Sequence, residues 1–335
     1  MRTCEVPSVI HTLAFPVTRL PAILNNTTLY TALSRLDSNE RREISNEALD
    51  FLRECWSLLY PIRSTDVRRL LTLDECVNGV TLTLSPLVGV PSLNMATSAG
   101  YPYNKLSPIG KHNFFTASGT EPPYYIPIPG LVAEFDSFCT LLESGIMTHQ
   151  FMQFSLKDEL RPVEKVLAGK TRIIENAPLV LQLALRRYLG AYTARIHSDY
   201  LTAPASCGIN ATSMDWELLW DRFHGFSHRL GFDIERFDFS QLIQLHFHFA
   251  TCANDWYSPS PPAHDTARLT LIKYLAYFLG VLGSLCFIIT GVHPSGGGIT
   301  TDNNSFQTAC YILWTIHSLM VEQGLSATPS ETIDA

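Results

Sequence analysis

Apolar residues recur at helical spacing along several long segments of this chain. Between Asn39 and Tyr60, the residues Leu49, Leu52, Trp56 and Leu59 share one face and acidic residues cluster near the start, which predicts an amphipathic helix. Gly130 to Gly145 repeats the pattern through Leu131, Phe135, Phe138 and Leu142, and Pro178 to His197 predicts a long structural helix with Arg186 and Arg187 on its surface. Thr212 to Phe223 predicts another, capped by Thr212 or Ser213, with Trp216, Leu219, Trp220 and Phe223 as its buried stripe. Helices are also expected over Leu242 to Trp256 and Asp265 to Leu279. A last one should begin at Thr300 or Thr301, with Phe306, Cys310, Leu313, His317 and Met320 facing the core and Thr300 and Asn304 one turn apart on another face. Alternation of apolar and polar residues predicts a strand over Thr81 to Leu87.

Between these elements the pattern breaks at proline and glycine. The first forty residues are proline-punctuated and expected to be extended, with Leu20 to Leu24 packed onto another element. Thr97 to Tyr103 predicts a tight loop, and Pro122 to Pro129 a connector. Leu275 to Val292 is apolar enough to suggest a membrane span, but Gly280, Gly283, Ser284 and Gly291 interrupt it. The run predicts a helix end followed by a buried strand over Leu285 to Thr290.

A length of 335 residues implies two subdomains or one large interrupted one, and 46% hydrophobic residues suffice for a sizeable core. The net charge of -7 argues against attraction of nucleic acid to the whole surface, so any such contact must be a local basic channel. Eight scattered cysteines without a CxxC pair read as reduced, buried thiols of a cytosolic protein. Pro7, Pro16 and Pro21 make Met1 to Leu24 a poor signal peptide.

Three stretches carry candidate chemistry. Phe151 to Glu175 is the most basic; within it Lys157, Arg161, Lys165, Lys170 and Arg172 stand against Asp158, Glu159 and Glu164. Gly169-Lys170-Thr171 suggests a phosphate loop, yet Glu164 occupies the position where that loop needs a glycine. Lys170 and Arg172 on a β-ribbon would still project together toward a phosphate-bearing ligand. In Gly231 to Ser240, Asp233 and Asp238 are too far out of phase to share a face of a straight helix or strand. They converge only if a strand delivers Asp233 at its end and a turn returns Asp238. In Gly291 to Ser305, three consecutive glycines allow a mobile loop around Ser295, beside Thr300 and Asn304 as a candidate sugar or phosphate reader. His246 and His248, two apart on a helix, point in opposing directions and are not expected to share a metal.

In order, Thr97-Ser98-Ala99-Gly100-Tyr101-Pro102-Tyr103, the Lys157 to Arg172 segment, Gly208-Ile209-Asn210, Asp233 with Asp238, and Ser295-Gly296 with Thr300 and Asn304 resemble the RNA-dependent RNA polymerases of picornavirus-like positive-strand RNA viruses. The resemblance covers most of the chain. It implies an α+β right-hand polymerase, with fingers over a partial palm built on an antiparallel sheet with helices, and no thumb. It assigns residues 1–175 to the fingers, 176–241 to the first part of the palm, 242–284 to a fingers insertion and 285–335 to the second part of the palm.

By the same resemblance, Asp233 and Asp238 are the catalytic carboxylates. Asp233 is the ligand of two Mg²⁺ (or Mn²⁺) ions, while Asp238, Ser295, Thr300 and Asn304 read the ribose. Lys165 and Arg172 guide the triphosphate; Lys157 and Arg161 line the nucleotide or template side. The implied partners are an RNA template, an RNA or protein primer, nucleoside triphosphates and other viral replication proteins. The implied location is the host cytoplasm at membrane-associated replication complexes, with no membrane span in the chain itself. Members of the family carry a Gly-Asp-Asp motif downstream of the asparagine matched by Asn304, whereas no Asp-Asp pair occurs in this sequence. The chain therefore reads as part of a longer polyprotein, inactive alone. The alternative is a noncatalytic RNA- or nucleotide-binding product.

Overall fold

The computed structural model describes residues 19–25, 27–28, 43–84, 87–210, 212–234, 237–283, 285–291 and 293–334. Most of the first forty positions, Asn39, Glu235, Arg236, Val292 and the Asp238 side chain lie outside that description. Strand β1 (Arg19–Pro21) pairs antiparallel with Leu160–Pro162, and Ala22 beside it is buried, so the Leu20 segment does pack onto another element. Helix α1 (Asn46–Leu59) begins where Ser45 accepts a hydrogen bond from the Ala48 N–H; Leu52 and Trp56 are buried. Helix α2 (Leu73–Asn78) starts with a capping box between Thr72 and Glu75.

The single strand expected over Thr81 to Leu87 is instead a hairpin of β2 (Val80–Leu84) and β3 (Leu87–Val90). Period-two alternation does not register a reversal of direction. The Pro122 to Pro129 connector holds β5 (Tyr125–Pro127), paired with β4 (Phe115–Ala117). Helix α3 (Pro129–Glu143) buries Leu131, Phe135, Phe138 and Leu142, as its pattern predicts.

The basic stretch folds as β6 (Phe151–Leu156), β7 (Leu160–Pro162), the short helix α4 (Val163–Leu167) and β8 (Ile173–Asn176). It leads into α5 (Leu179–Ser198), whose buried residues lie on every side because it packs against α2, β3 and α3 and against two later helices. After α6 (Asp215–His224) and the single turn α7 (Phe237–Ser240), those later helices are α8 (Ile243–Tyr257) and α9 (Pro262–Ala276). Strands β9 (Tyr277–Leu282) and β10 (Leu285–Thr290) form a hairpin, followed by α10 (Thr300–Glu322) and α11 (Pro329–Asp334).

The principal sheet has the order β10-β9-β6-β8. Its outer pairs are antiparallel, but β6 and β9 run parallel, so it is a mixed sheet. A parallel pair needs a long crossover, and the helical segment between β6 and β9 supplies it. β10 is an edge strand with Ile288 75% exposed, which corrects the buried strand expected there. Among the described residues, no helix is long and apolar enough to cross a membrane.

Two other expectations fail on burial. No residue of α6 is buried, and Trp216, Trp220 and Phe223 of its expected core stripe are exposed. Periodicity identifies an apolar face but not whether anything covers it. Arg186 and Arg187 are half-buried rather than on the surface: Arg186 Nε donates to the Cys76 carbonyl at 2.6 Å, and Arg187 lies over the Phe135 ring.

The terminal turn of α5 also carries a buried ionic knot. Arg195 donates to Asp199 at 2.6 Å, to Asp66 at 3.3 Å and to the Pro61 carbonyl at 3.0 Å, while Arg63 donates to Asp199 at 2.6 Å. Burial alone would raise the Asp199 carboxyl, but Arg195 and Arg63 hold it below the ordinary value. Arg195→Ala removes the buried cation shared by two carboxylates whose side chains are only 5% and 8% exposed, leaving Asp199 with Arg63 alone for a charge partner. It should cost about 3–5 kcal/mol in urea denaturation.

Candidate active site

The basic residues gather around an acid. Lys157 Nζ lies 3.2 Å from Glu159, and Arg161 and Arg172 each lie 3.3 Å from it. The Lys157 N–H donates to the Arg172 carbonyl, which brings the two ends of the segment side by side. Lys165 is exposed on α4, and Lys170 and Arg172 precede β8 in the turn after that helix. The ribbon expected to present Lys170 and Arg172 is therefore interrupted by a helical turn. Arg161 also donates to the Lys170 carbonyl at 3.3 Å, so the turn is held against β7.

At the end of β8, the buried Glu175 accepts hydrogen bonds from the Ser295 N–H at 2.9 Å and from its hydroxyl at 2.8 Å. The Gly296 N–H donates to the Glu175 carbonyl, and Asn176 bridges to Gly296. A Cβ on Gly296 would stand 2.4 Å from that carbonyl, so only glycine allows this approach. The Thr300 hydroxyl donates to the Pro294 and Ser295 carbonyls at 2.9 and 3.2 Å, bracing the serine loop from the first residue of α10. The helix takes no side-chain cap from Thr300, because its cap position is Ile299.

Gly231 to Ile234, where a strand was expected to deliver Asp233, is irregular, and Asp233 is exposed. This stretch is paired with no strand among the described residues, and strand geometry needs a partner for its backbone groups. Asp238 lies in α7. That turn is tied to α10 by Gln241, which donates to Asn304 at 2.6 Å and accepts from Gln307 at 2.9 Å. Asn303 and Gln307 in turn contact His246 Nδ1 at 3.0 and 3.3 Å, and the His246 ring stacks on His293. His248 points away toward Phe306, so the two histidines of α8 share no site.

The Thr97 loop sits on the start of α5. Gly100 (φ +70°) approaches so closely that a Cβ would meet the Ala177 carbonyl at 2.3 Å. The fully buried Lys111 donates to the Asn94 and Thr97 carbonyls, both at 3.0 Å. Burial pushes that ammonium down to about 8.

A cavity of about 510 Å³ opens between this loop and the serine loop, lined by Thr97, Ser98, Asn176, Gly296, His197 and Asp302 among others. It brings together two motifs from opposite ends of the chain. Asp233, Lys157, Arg161, Lys165, Arg172, Ser295, Thr300 and Asn304 are not in its lining. Among the described residues, the group of His, Cys, Asp or Glu side chains able to hold a metal is His197, Cys207 and Asp302, which also excludes Asp233. Sequence reasoning missed Glu159, Glu175, Lys111, Gln241 and this triad. Of these, only Glu159 and Glu175 carried a signal, as acids inside the basic stretch.

Residues 68–331 match the sequence profile of the viral RNA-dependent RNA polymerase family. The chain belongs to that family. It is 25% identical over 269 residues, 79% of its length, to the replicase polyprotein of acute bee paralysis virus (strain Rothamsted), of which it spans 14%. It is 27% identical over 71% of its length to the RNA1 polyprotein of tomato torrado virus and 28% over 71% to the genome polyprotein of avian encephalomyelitis virus (strain Calnek vaccine). It spans 12% and 10% of those two polyproteins. Its fold is similar to that of the Sicinivirus 3Dpol RNA dependent RNA polymerase, with a TM-score of 0.73, 23% identity, and coverage of 90% of this chain and 61% of that one. The polymerase family's right-hand-like fold is thus present, as a mixed sheet with flanking helices.

Two measurements check this geometry. Gly296→Ala should detach the serine loop from β8, raising amide exchange over residues 293–299 while leaving α5 protected. Burial pushes His246 and His248 down to about 4. A histidine whose folded value lies below its unfolded one stabilises the fold fully above the unfolded value, near 6.5, and loses that contribution as pH falls toward the folded value. Stability should therefore drop between pH 6.5 and pH 4, by about 1 kcal/mol per histidine per pH unit in denaturation at stepped pH.

Proposed function

We propose that this chain contributes the fingers and part of the palm of an enzyme that extends RNA on an RNA template. Such an enzyme joins an RNA 3′-hydroxyl to the α-phosphate of a nucleoside triphosphate and releases pyrophosphate. The observation that carries this reading is the cavity where the Thr97 loop, the end of β8 and the glycine loop meet, within a chain matched to the polymerase family over residues 68–331. In this reading residues 1–175 and 242–284 are fingers, and 176–241 and 285–335 are palm. The pairing of β6 with β9 joins the two fingers segments.

Lys157, Arg161, Lys165 and Arg172 would receive the triphosphate and the template backbone, which suits a local basic cluster in an acidic chain. Ser295, Thr300 and Asn304, with Asp238 on the turn tied to α10, would sit beside the ribose, where the 2′-hydroxyl separates RNA from DNA precursors. Two Mg²⁺ or Mn²⁺ ions would supply charge stabilisation to the attacking and leaving oxygens. The described residues do not fit that pair: Asp233 is exposed and belongs to no metal-holding group. A divalent ion of this kind needs several oxygen ligands, and one carboxylate is too few.

A second reading is a noncatalytic RNA- or nucleotide-binding polyprotein segment. Other replication proteins and an RNA or protein primer would be partners in the first reading, at membrane-associated complexes in the host cytoplasm. Primer extension by the 335-residue chain with Mg²⁺ or Mn²⁺ should be negligible; robust incorporation abolished by Asp233→Ala would overturn this. The polymerase reading requires RNA binding through the basic cluster. Arg172→Ala should weaken single-stranded RNA binding and flatten the slope of log K against log salt by about 0.7 in anisotropy titrations. An unchanged slope would remove Arg172 from the RNA contact.

A further inference from the structure

His197, Cys207 and Asp302 come from three separate places, the last turn of α5, the loop before α6 and the first turn of α10. Their donor atoms nevertheless all lie within 4.8 Å of one another. Asp302 is 7% exposed in its side chain, and its Oδ1 stands 2.7 Å from His197 Nε2. Neither atom makes an aligned hydrogen bond, although both are buried. Buried polar atoms without such a bond are rare enough to require an explanation. Cys207 Sγ closes the group, with the Ser305 hydroxyl 3.2 Å away.

We propose that these three side chains bind one Zn²⁺ ion that fastens the start of α10 to the end of α5. The donor set decides the metal: an imidazole nitrogen, a thiolate sulfur and a carboxylate oxygen suit zinc, whereas Mg²⁺ and Ca²⁺ take oxygen almost exclusively. The charges also close. A thiolate, a carboxylate and a neutral imidazole balance a divalent ion, so the buried Asp302 is neutralised without protonating His197.

Three protein ligands leave the fourth tetrahedral position for a water. His197 and Asp302 line the 510 Å³ cavity, so that position has access to solvent from the cavity side. Bond lengths near 2.0–2.3 Å place tetrahedral ligands about 3.3–3.6 Å apart. The His197–Asp302 pair must open by several tenths of an ångström, and no other pair of donors need close by more than about 1.5 Å. His197, with its side chain 37% exposed, has room for that rotation. The Ser305 hydroxyl is already placed to donate to the thiolate, the outer hydrogen bond that metal sites commonly show.

This site uses none of the residues assigned to nucleotide or catalytic ions, although His197 and Asp302 line the same cavity. Its effect on that machinery would be positional. Asn304 lies two residues beyond Asp302 and Ser295 seven before it, so fixing the first turn of α10 fixes both.

The test is metal content and spectroscopy on the 335-residue chain after incubation with Zn²⁺ and gel filtration. One zinc per chain is expected by mass spectrometry. Replacement by Co²⁺ should give a thiolate-to-cobalt charge-transfer band and the intense visible absorption of four-coordinate cobalt. Cys207→Ser and Asp302→Asn should each abolish stoichiometric zinc, and Ser305→Ala should weaken it about tenfold. A folded wild-type chain without zinc, or cobalt bound without the charge-transfer band, overturns the site and leaves a simple His197–Asp302 ion pair. Zinc retained by both ligand variants overturns it too, because the metal would then lie elsewhere.

Discussion

Burial of α5 on every side is the constraint from which the other positions follow. A helix without a solvated face must be covered all round, and α2, β3, α3, α8 and α9 provide that cover. The Thr97 loop rests on its first turn, and the ionic knot of Arg195, Asp66 and Asp199 closes its last. The Thr97 loop and the ionic knot are both placed by this one helix.

Two polar links then fix the serine loop and α7 in place. Glu175 and Gly296 lock the serine loop to the end of β8, and Gln241 with Asn304 and Gln307 ties α7 to α10. Both links join segments more than sixty positions apart through buried or half-buried polar groups, which fix geometry more narrowly than apolar contact does. The serine loop keeps its glycine-rich character between those anchors, with Gly298 at φ +82°.

Much of this was legible in the residues. The patterns of α1 and α3 predicted their cores, and the ordered motifs from Thr97 to Asn304 pointed to the family. What failed shares one cause. Nothing within α6 tells whether its Trp216 and Trp220 face is covered, and nothing near Arg186 shows that the Cys76 carbonyl lies opposite. Lys111 and Gln241 were unreadable for the same reason, since their partners are fixed by the fold and not by spacing. The Asp233 strand was read from a local pattern, yet a strand exists only where a second one receives its hydrogen bonds.

Glu159 has a consequence for the energetics of the basic cluster. Lys157, Arg161 and Arg172 would repel one another if brought together unaided, and a cluster of like charge tends to spread its side chains into solvent. One internal carboxylate at 3.2–3.3 Å from all three holds them as a set before any ligand arrives. Under the proposed function, an incoming phosphate would meet a preassembled group and displace an intramolecular anion, so association would be an exchange of counter-ions rather than a gathering of charges.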